Sequence, residues 1–155
     1  MQMIKLLTVG TIKEKYFNEA IAEYIKRLSC FCKFEIVEVP EYLPNSRCTT
    51  EQIVEVESWN LEKKLEGYVV IFDLKGKEIS SEGIAELITN CANSGNSKIT
   101  FVIGGSNGIS SKLLNKADMV IRFGKITFPH QLMRVVATEQ IYRAMTIINN
   151  TKYHK

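Results

Sequence analysis

Short runs of β-forming apolar residues alternate along the chain with stretches of helical character, and this alternation most constrains the fold. The runs lie at 3–9, 34–39, 68–74, 99–103 and 119–123. Between them, apolar residues recur at three- and four-residue steps, Thr50 opens a highly charged helical stretch, and Ser80 or Ser81 caps a helix to about Asn93. Strands that alternate with helices favour a mostly parallel sheet covered by helices on both faces. We therefore expect an α/β fold.

The residue pattern also predicts the limits of several elements. Residues 34–39 (FEIVEV) alternate apolar and acidic side chains, which is typical of a half-buried or edge strand. The strand at 68–74 is expected to end in a turn at Lys75-Gly76-Lys77, and Pro40 and Pro44 to bracket a loop. Helices are expected at 50–65, at 112–117, and from Pro129 in a first turn to about Ile148.

Length and composition indicate one soluble domain over residues 1–155. Hydrophobic residues make up 45% and charged residues 24% of the chain, which is ordinary for a globular protein. No apolar run approaches the roughly 20 residues of a membrane span, and MQMIKLLTVG is too short for a signal peptide. The cysteines show no metal-binding spacing. We expect a reduced, cytoplasmic protein without a metal; the net charge of +3 permits an RNA partner without requiring one.

Three loops are expected to leave strands at the same edge of the sheet, after Asp73, after Ile103 and after Phe123. In open parallel sheets, ligands bind beyond the carboxyl ends of the strands. If these loops converge, they define the functional site.

The glycine-rich stretch VIGGSNGIS (102–110) allows two interpretations. Gly104-x-Ser106-x-Gly108 fits a nucleophile elbow, for which Asp118 and either His130 or His154 would follow in the required order. It equally fits a glycine loop that lets a ligand approach the backbone. The consecutive glycines make the turn looser than a strained elbow, so the hydrolase is the less favoured of the two.

The last predicted helix has more apolar surface than a single stripe. Val135 and Tyr142 lie outside its main apolar face, so the helix must be buried on more than one side. A central core helix and a subunit interface explain this equally well. The main face is formed by Leu132, Met133, Val136, Ala137, Ile141, Ala144, Met145 and Ile148.

Polar groups on the same helix and at the chain terminus suggest further roles. Arg134 and Arg143 are nine residues apart and therefore point to opposite sides of a straight helix. The terminal KYHK places Tyr153 and His154 between two lysines, a combination that suits an RNA base and its phosphates.

Four segments together resemble one known family, the RlmH family of ribosomal RNA methyltransferases, over essentially the whole chain. They are LLTVGTIKEKYFNEAIAEYIKRL, IGGSNGIS, KITFPHQLMRVVATEQIYRA and the terminal YHK. The resemblance implies a SPOUT-type α/β fold whose C-terminal part forms a trefoil knot, and a homodimer. It also implies transfer of a methyl group from S-adenosylmethionine to N3 of a pseudouridine in 23S rRNA, within the assembled 70S ribosome or its large subunit.

The resemblance further implies the site residues. The catalytic group would be His154, with Tyr153 and Arg143 positioning the base and phosphates and His130 as the second candidate proton acceptor. This chain departs from the family pattern at Phe72, Gly124 and Lys152, where leucine, serine and proline are common. The rival classes are a small serine hydrolase and a non-enzymatic ribosome-binding factor. The cofactor pocket would use Phe72, Gly105, Gly124, Lys125, Ile126, Thr127, Phe128 and Pro129.

Overall fold

The computed structural model describes residues 1–43 and 47–155 and contains one five-stranded sheet in the order β2-β1-β4-β3-β5. All neighbouring strands in this sheet are parallel, so the predicted α/β fold is confirmed. The strands are β1 (Met3–Val9), β2 (Lys33–Val39), β3 (Tyr68–Glu78), β4 (Lys98–Ile103) and β5 (Met119–Arg122). The helices are α1 (Lys15–Leu28), α2 (Thr50–Glu62), α3 (Ser81–Asn93), α4 (Ser111–Leu114) and α5 (His130–Ile148).

Helices cover both faces of the sheet because successive strand residues point to opposite sides. In β1, Ile4 and Leu6 pack into the core beneath α1, α3 and α5, whereas Leu7 and Val9 pack into the core beneath α2 and α4. Such two-sided burial explains why the central strands read as continuous apolar runs. The prediction that β2 is an edge strand is confirmed, since within the sheet it pairs with β1 alone.

The predicted turn at 75–77 is wrong, because β3 continues to Glu78. The strand bulges after Phe72 and then resumes its pairing with β5, where Lys77 lies opposite Ile121 and Glu78 opposite Arg122. A Cβ on Gly76 would come within 2.6 Å of the Ile121 backbone nitrogen. Glycine therefore permits close approach of two strands here, which local sequence does not distinguish from a turn.

Two helices are shorter than predicted, and one predicted boundary cannot be compared. Helix α2 ends at Glu62, not at residue 65, and a turn leads into Gly67, whose φ is +66°. Helix α4 ends at Leu114, not at residue 117. The α2 start agrees with prediction, because the Thr49 side chain accepts a hydrogen bond from the Gln52 backbone N–H in a capping box. The proposed loop boundary at Pro44 lies outside the described residues.

Helix α5 lies between α1 and α3 and is at least partly buried along its whole length. Its buried Arg134 donates hydrogen bonds to the carbonyl oxygens of Val9 and Gly10 and forms an ion pair with Glu38. This residue therefore ties the helix to the carboxyl ends of β1 and β2. The core accounts for the buried Ala137, Ile141, Ala144 and Met145. Val135 and Tyr142, outside the main apolar face, are half-buried, so the subunit interface stays a prediction. Among the described helices, none is both long and apolar enough to cross a membrane.

Candidate functional site

A cavity of about 260 Å³ lies at the carboxyl ends of β4 and β5 and beside the bulge of β3. Loops that follow Ile103 and Phe123 contribute to its wall as predicted, but no loop leaves the sheet after Asp73, because Asp73 and Leu74 reach the wall from within β3. The N-terminal turn of α5 closes another side with His130 and Met133. The lining residues are Phe72, Asp73, Leu74, Ile103, Gly104, Gly105, Ser106, Gly108, Ile109, Ile121, Arg122, Phe123, Gly124, Ile126, Thr127, Phe128, His130 and Met133.

Most residues of the predicted cofactor pocket lie on the wall of this one cavity. Lys125 and Pro129 belong to the same loop but do not line the cavity, and both are exposed. Pro129 immediately precedes α5, where its carbonyl oxygen accepts a hydrogen bond from the Met133 N–H. The predicted residues that line the cavity are Phe72, Gly105, Gly124, Ile126, Thr127 and Phe128.

The cavity combines apolar walls with free main-chain donors. The Phe72 ring packs against Phe123 with a centroid distance of 5.1 Å, and the Ile126 side chain is 66% exposed. Within the part of the chain that the structure describes, the backbone N–H groups of 124–128 donate no hydrogen bond. Gly124 has a φ of +123°, a backbone conformation that a serine would adopt only with strain. Apolar walls with a few convergent polar groups are typical of a small-molecule site.

Gly105 is required by the protein's own packing. A Cβ at this position would lie 2.6 Å from Glu57 Oε1 and 3.4 Å from Val9 Cγ1. Similarly, a Cβ on Gly104 would meet the Ile109 side chain. These glycines let the loop close over α2 and β1, and they thereby shape the cavity wall.

Glu57 is a buried carboxylate directly behind this wall. It is 2% exposed, its Oε2 accepts a hydrogen bond from the Tyr42 backbone N–H at 3.0 Å, and its Oε1 has no partner among the residues that the structure describes. Burial raises the pKa of Glu57, while the Tyr42 hydrogen bond and the nearby His130 oppose that rise. No local sequence signal distinguishes Glu57 from the many other charged residues of α2.

The hydrolase triad is not assembled. Ser106 is exposed on the cavity rim, whereas Asp118 lies at the opposite, amino-terminal end of β5. The Asp118 carboxylate also accepts the Val69 backbone N–H at 2.8 Å, which fixes it at the start of β3. A four-residue strand spans roughly 13 Å, so Asp118 cannot orient a histidine beside Ser106.

The predicted catalytic residues form a second cluster, where the chain terminus folds back on α5. Arg143 donates to Glu139 Oε1 through Nε at 3.0 Å and through a terminal nitrogen at 2.6 Å. The Tyr153 hydroxyl donates to the same oxygen, and the Arg143 guanidinium lies 4.8 Å from the Tyr153 ring centroid. The structure thus brings Arg143, Tyr153 and His154 together, and their catalytic roles stay a prediction.

Contacts in this cluster determine the tautomer of His154 and the protonation state of Tyr153. Arg143 donates to His154 Nδ1 at 3.3 Å, so the imidazole proton sits on Nε2 and is donated to Glu82 at 2.7 Å. Burial and the Glu139 contact raise the pKa of Tyr153 to about 12, which keeps its hydroxyl protonated. Tyr153 is therefore a hydrogen-bond donor at neutral pH, and both imidazole nitrogens of His154 are engaged.

The two clusters are separate within one chain. Met133 lines the cavity and Arg143 belongs to the terminal cluster, and they lie ten residues apart on the same helix. At 1.5 Å per residue this separation is roughly 15 Å. Of the two histidines, His130 is the one on the cavity wall.

Several lining residues were not predicted individually. Ile109, Arg122 and Met133 reach the cavity from the glycine loop, the end of β5 and α5. The positions of the loops at the strand ends gave a general signal for the first two. Met133 was assigned to the apolar face of α5, and periodicity does not distinguish core from cavity wall.

An open parallel sheet with a glycine-lined cavity at its carboxyl edge is typical of α/β proteins that bind a small ligand. A family model described as "Predicted SPOUT methyltransferase" matches residues 1–154. The chain therefore belongs to the SPOUT methyltransferase family.

Relatives with curated names indicate which members of the family this chain resembles. A Limosilactobacillus reuteri protein named ribosomal RNA large subunit methyltransferase H is 52% identical over 98% of this chain and 99% of its own length. A Caldicellulosiruptor saccharolyticus protein of the same name is 48% identical over 99% of this chain and 100% of its own length. The resemblance to the RlmH family is confirmed by these matches.

Solved structures support the fold independently. A probable methyltransferase from Bordetella pertussis Tohama I has a TM-score of 0.59 at 14% identity, covering 93% of this chain and 96% of that one. A probable methylase family protein from Haemophilus influenzae has a TM-score of 0.55 at 15% identity, covering 98% and 70%. At such low identity these likenesses concern the fold alone.

Proposed function

We propose that this protein is an S-adenosylmethionine-dependent methyltransferase that methylates N3 of a pseudouridine in 23S rRNA. The observation that carries the proposal is the cavity at the carboxyl edge of the sheet, in a chain about half identical to relatives named as rRNA large subunit methyltransferases. The substrate is the rRNA of the large subunit or of the 70S ribosome, and the enzyme acts in the cytoplasm.

The cavity suits S-adenosylmethionine. Free backbone N–H groups at 124–128 are available for an adenine edge, and Phe72, Ile126 and Phe128 offer apolar surface for the ring. Since the donors are main-chain groups, the departures from the family pattern at Phe72 and Gly124 preserve them. Lys125 and Pro129 contribute by shaping this loop and the start of α5.

The bound sulfonium supplies an electrophilic methyl group, so the protein's main tasks are alignment and proton removal. N3 of the pseudouridine must lose its proton to a general base, and it would then take the methyl group as the carbon–sulfur bond breaks and a neutral thioether leaves. His154 is the proposed base, with Tyr153 donating a hydrogen bond and Arg143 holding a phosphate. For that role, His154 must give up its hydrogen bond with Glu82 or Arg143 and form one with the pseudouridine ring.

The site is proposed to form between two subunits. The roughly 15 Å along α5 between the cavity and the terminal cluster supports this arrangement, because a partner's tail could complete each cavity. Half-buried apolar residues on α5 such as Leu132, Val135 and Tyr142 offer surface for a homodimer. A trefoil knot in the C-terminal part, implied by the family resemblance, belongs to the same proposal.

Calorimetric titration with S-adenosylmethionine tests the function most directly. Binding is expected for the methyltransferase, whereas a ribosome-binding factor or a serine hydrolase would show none. His154→Ala and Tyr153→Phe should both slow single-turnover methylation of large subunits while leaving cofactor binding intact. Unchanged single-turnover rates in both variants would remove these residues from the catalytic assignment.

Mixed dimers test the shared site. Reassociated equimolar dimers of His154→Ala and a cavity variant that cannot bind cofactor should regain about a quarter of wild-type activity, because half of the dimers contain one intact site. If each chain builds its own site, no activity returns.

A further inference from the structure

The only tryptophan in the sequence, Trp59, is exposed on α2, and the ammonium groups of two lysines lie over its ring. Its side chain is 53% exposed, and the ammonium groups of Lys63 and Lys112 lie 5.3 and 5.2 Å from its ring centroid. Indole rings are usually largely buried, so an exposed ring held between cations is an uncommon surface. Nothing in the cofactor cavity or the terminal cluster uses it.

This surface adjoins the cofactor cavity through α2. Residues of α2 contact the segment from Gly105 to Lys112. Glu57 lies behind Gly105, and the Ser58 hydroxyl oxygen accepts a hydrogen bond from the Ser110 backbone N–H at 3.0 Å. The Lys112 ammonium group lies over the Trp59 ring. A groove of about 280 Å³ runs between α2 and α4 beside the ring. Ser110 lines this groove and directly follows the loop that lines the cavity.

Both charged groups that lie over the ring are cations, and such groups can meet phosphates. Lys63 and Lys112 contact the indole, and neither forms an ion pair among the described residues. The carboxylate of Glu62 is occupied by Lys116 at 3.8 Å, which leaves Glu55 as the other acid lining the groove. An aromatic platform flanked by lysines is the surface that unpaired nucleotides recognise, because bases stack on the ring while phosphates meet the ammonium groups.

We infer that Trp59, Lys63 and Lys112 form a platform that binds an unpaired nucleotide of ribosomal RNA beside the cofactor cavity. The inference rests on the proposed function, since it takes the RNA to be the methylated substrate. A base displaces one lysine from the ring and gains more by stacking than the exposed lysine–indole contact loses. The released ammonium group then meets the adjacent phosphate.

Trp59 reports directly on its own contact, because it is the sole indole in the chain. Protein-free 23S rRNA contains no tryptophan and is the titrant, with free N-acetyltryptophanamide correcting for absorption by the RNA. Saturable quenching of Trp59 emission at the RNA concentrations that filter binding detects is expected. Unchanged emission while RNA binds would overturn the inference.

Variants measure the contribution to substrate binding. Trp59→Gln should raise KM for large subunits about tenfold, as the loss of one stacked base would, with kcat and cofactor affinity unchanged. Trp59→Phe should retain most of the affinity. Lys112→Gln should lower the slope of log affinity against log salt by about 0.7, as expected for one single-strand phosphate contact.

The matched control is Tyr16→Gln, because Tyr16 is another exposed aromatic residue, on α1 across the sheet from α2. It should leave KM unchanged. If Trp59→Gln also leaves KM unchanged, or if it alters the oligomeric state in sedimentation, the platform is not an RNA site. Failure of the methyltransferase proposal would appear separately, as absence of S-adenosylmethionine binding by the wild-type protein.

Discussion

An alanine at position 105 would force a contact that folded proteins avoid. Its Cβ would lie 2.6 Å from Glu57 Oε1, several tenths of an ångström closer than a carbon and an oxygen approach without a bond. The carboxylate cannot retreat freely, because Glu57 is buried and its other oxygen accepts the Tyr42 N–H. Val9 occupies a second direction at 3.4 Å. The glycine loop must therefore move towards the cavity.

Overpacking of this kind costs about 1–3 kcal/mol. Gly105→Ala should lower the free energy of unfolding by that amount, measured by urea denaturation. It should also weaken S-adenosylmethionine binding in calorimetric titration, by about fivefold for each ~1 kcal/mol of ligand contact that the displaced loop loses. The second effect is expected because the displaced loop forms part of the cavity wall.

A double-mutant cycle identifies the cause. Glu57→Asp withdraws the carboxylate by one methylene and should relieve most of the cost of Gly105→Ala, whereas the isosteric Glu57→Gln keeps the clash. Equal costs of Gly105→Ala in the Asp and Gln backgrounds would show that Glu57 is not the obstacle. A Gly105→Ala protein with wild-type stability and affinity would refute the packing argument altogether.

Four further substitutions test the structure. Burial raises the pKa of Glu57, so its stability contribution is present below the ordinary value of 4.5 and is lost as pH rises through the raised pKa. In urea titrations, Glu57→Gln should therefore gain stability relative to wild type as pH rises. A stability difference that does not change with pH would contradict this. Arg134→Met should cost about 2–4 kcal/mol in urea unfolding, because the carbonyls of Val9 and Gly10 lose their donor, while Glu38→Gln should cost less because Glu38 is partly exposed. Ser106→Ala should change the methylation rate less than about twofold, and a near-complete loss would revive a direct role for this hydroxyl.

Local pattern predicted the elements well and their ends less well. The capping residues Thr49 and Ser80 and the 3.6-residue periodicity are local signals, so the helices begin close to where they were expected. The turn predicted at 75–77 is wrong because the conformation of these residues depends on β5, a strand more than forty residues away. A glycine between two lysines has the same local sequence in a turn as in a strand that a neighbouring backbone approaches closely.

The candidate site divides in the same way. The placement of glycine loops after apolar strands identified the cavity edge, because parallel strands end on the same side. The family resemblance supplied individual residues, most of which line the cavity. Neither the glycine-loop pattern nor the family resemblance pointed to Glu57, because its burial depends on how α2 docks on the glycine loop. The terminal cluster needed the chain end to fold back on Glu139 and Glu82, contacts that residue spacing does not predict.

The sequence by itself determined the parallel α/β sheet, the edge strand and the edge of the sheet at which the cavity lies. These depend on periodicities of two and 3.6 residues and on turn residues, all of which act between near neighbours. Only the tertiary structure decided that Gly105 closes over a buried carboxylate and that Arg143, Tyr153 and His154 assemble away from the cavity. Such contacts join residues distant in the chain, and their free energy is set by the docking of whole helices.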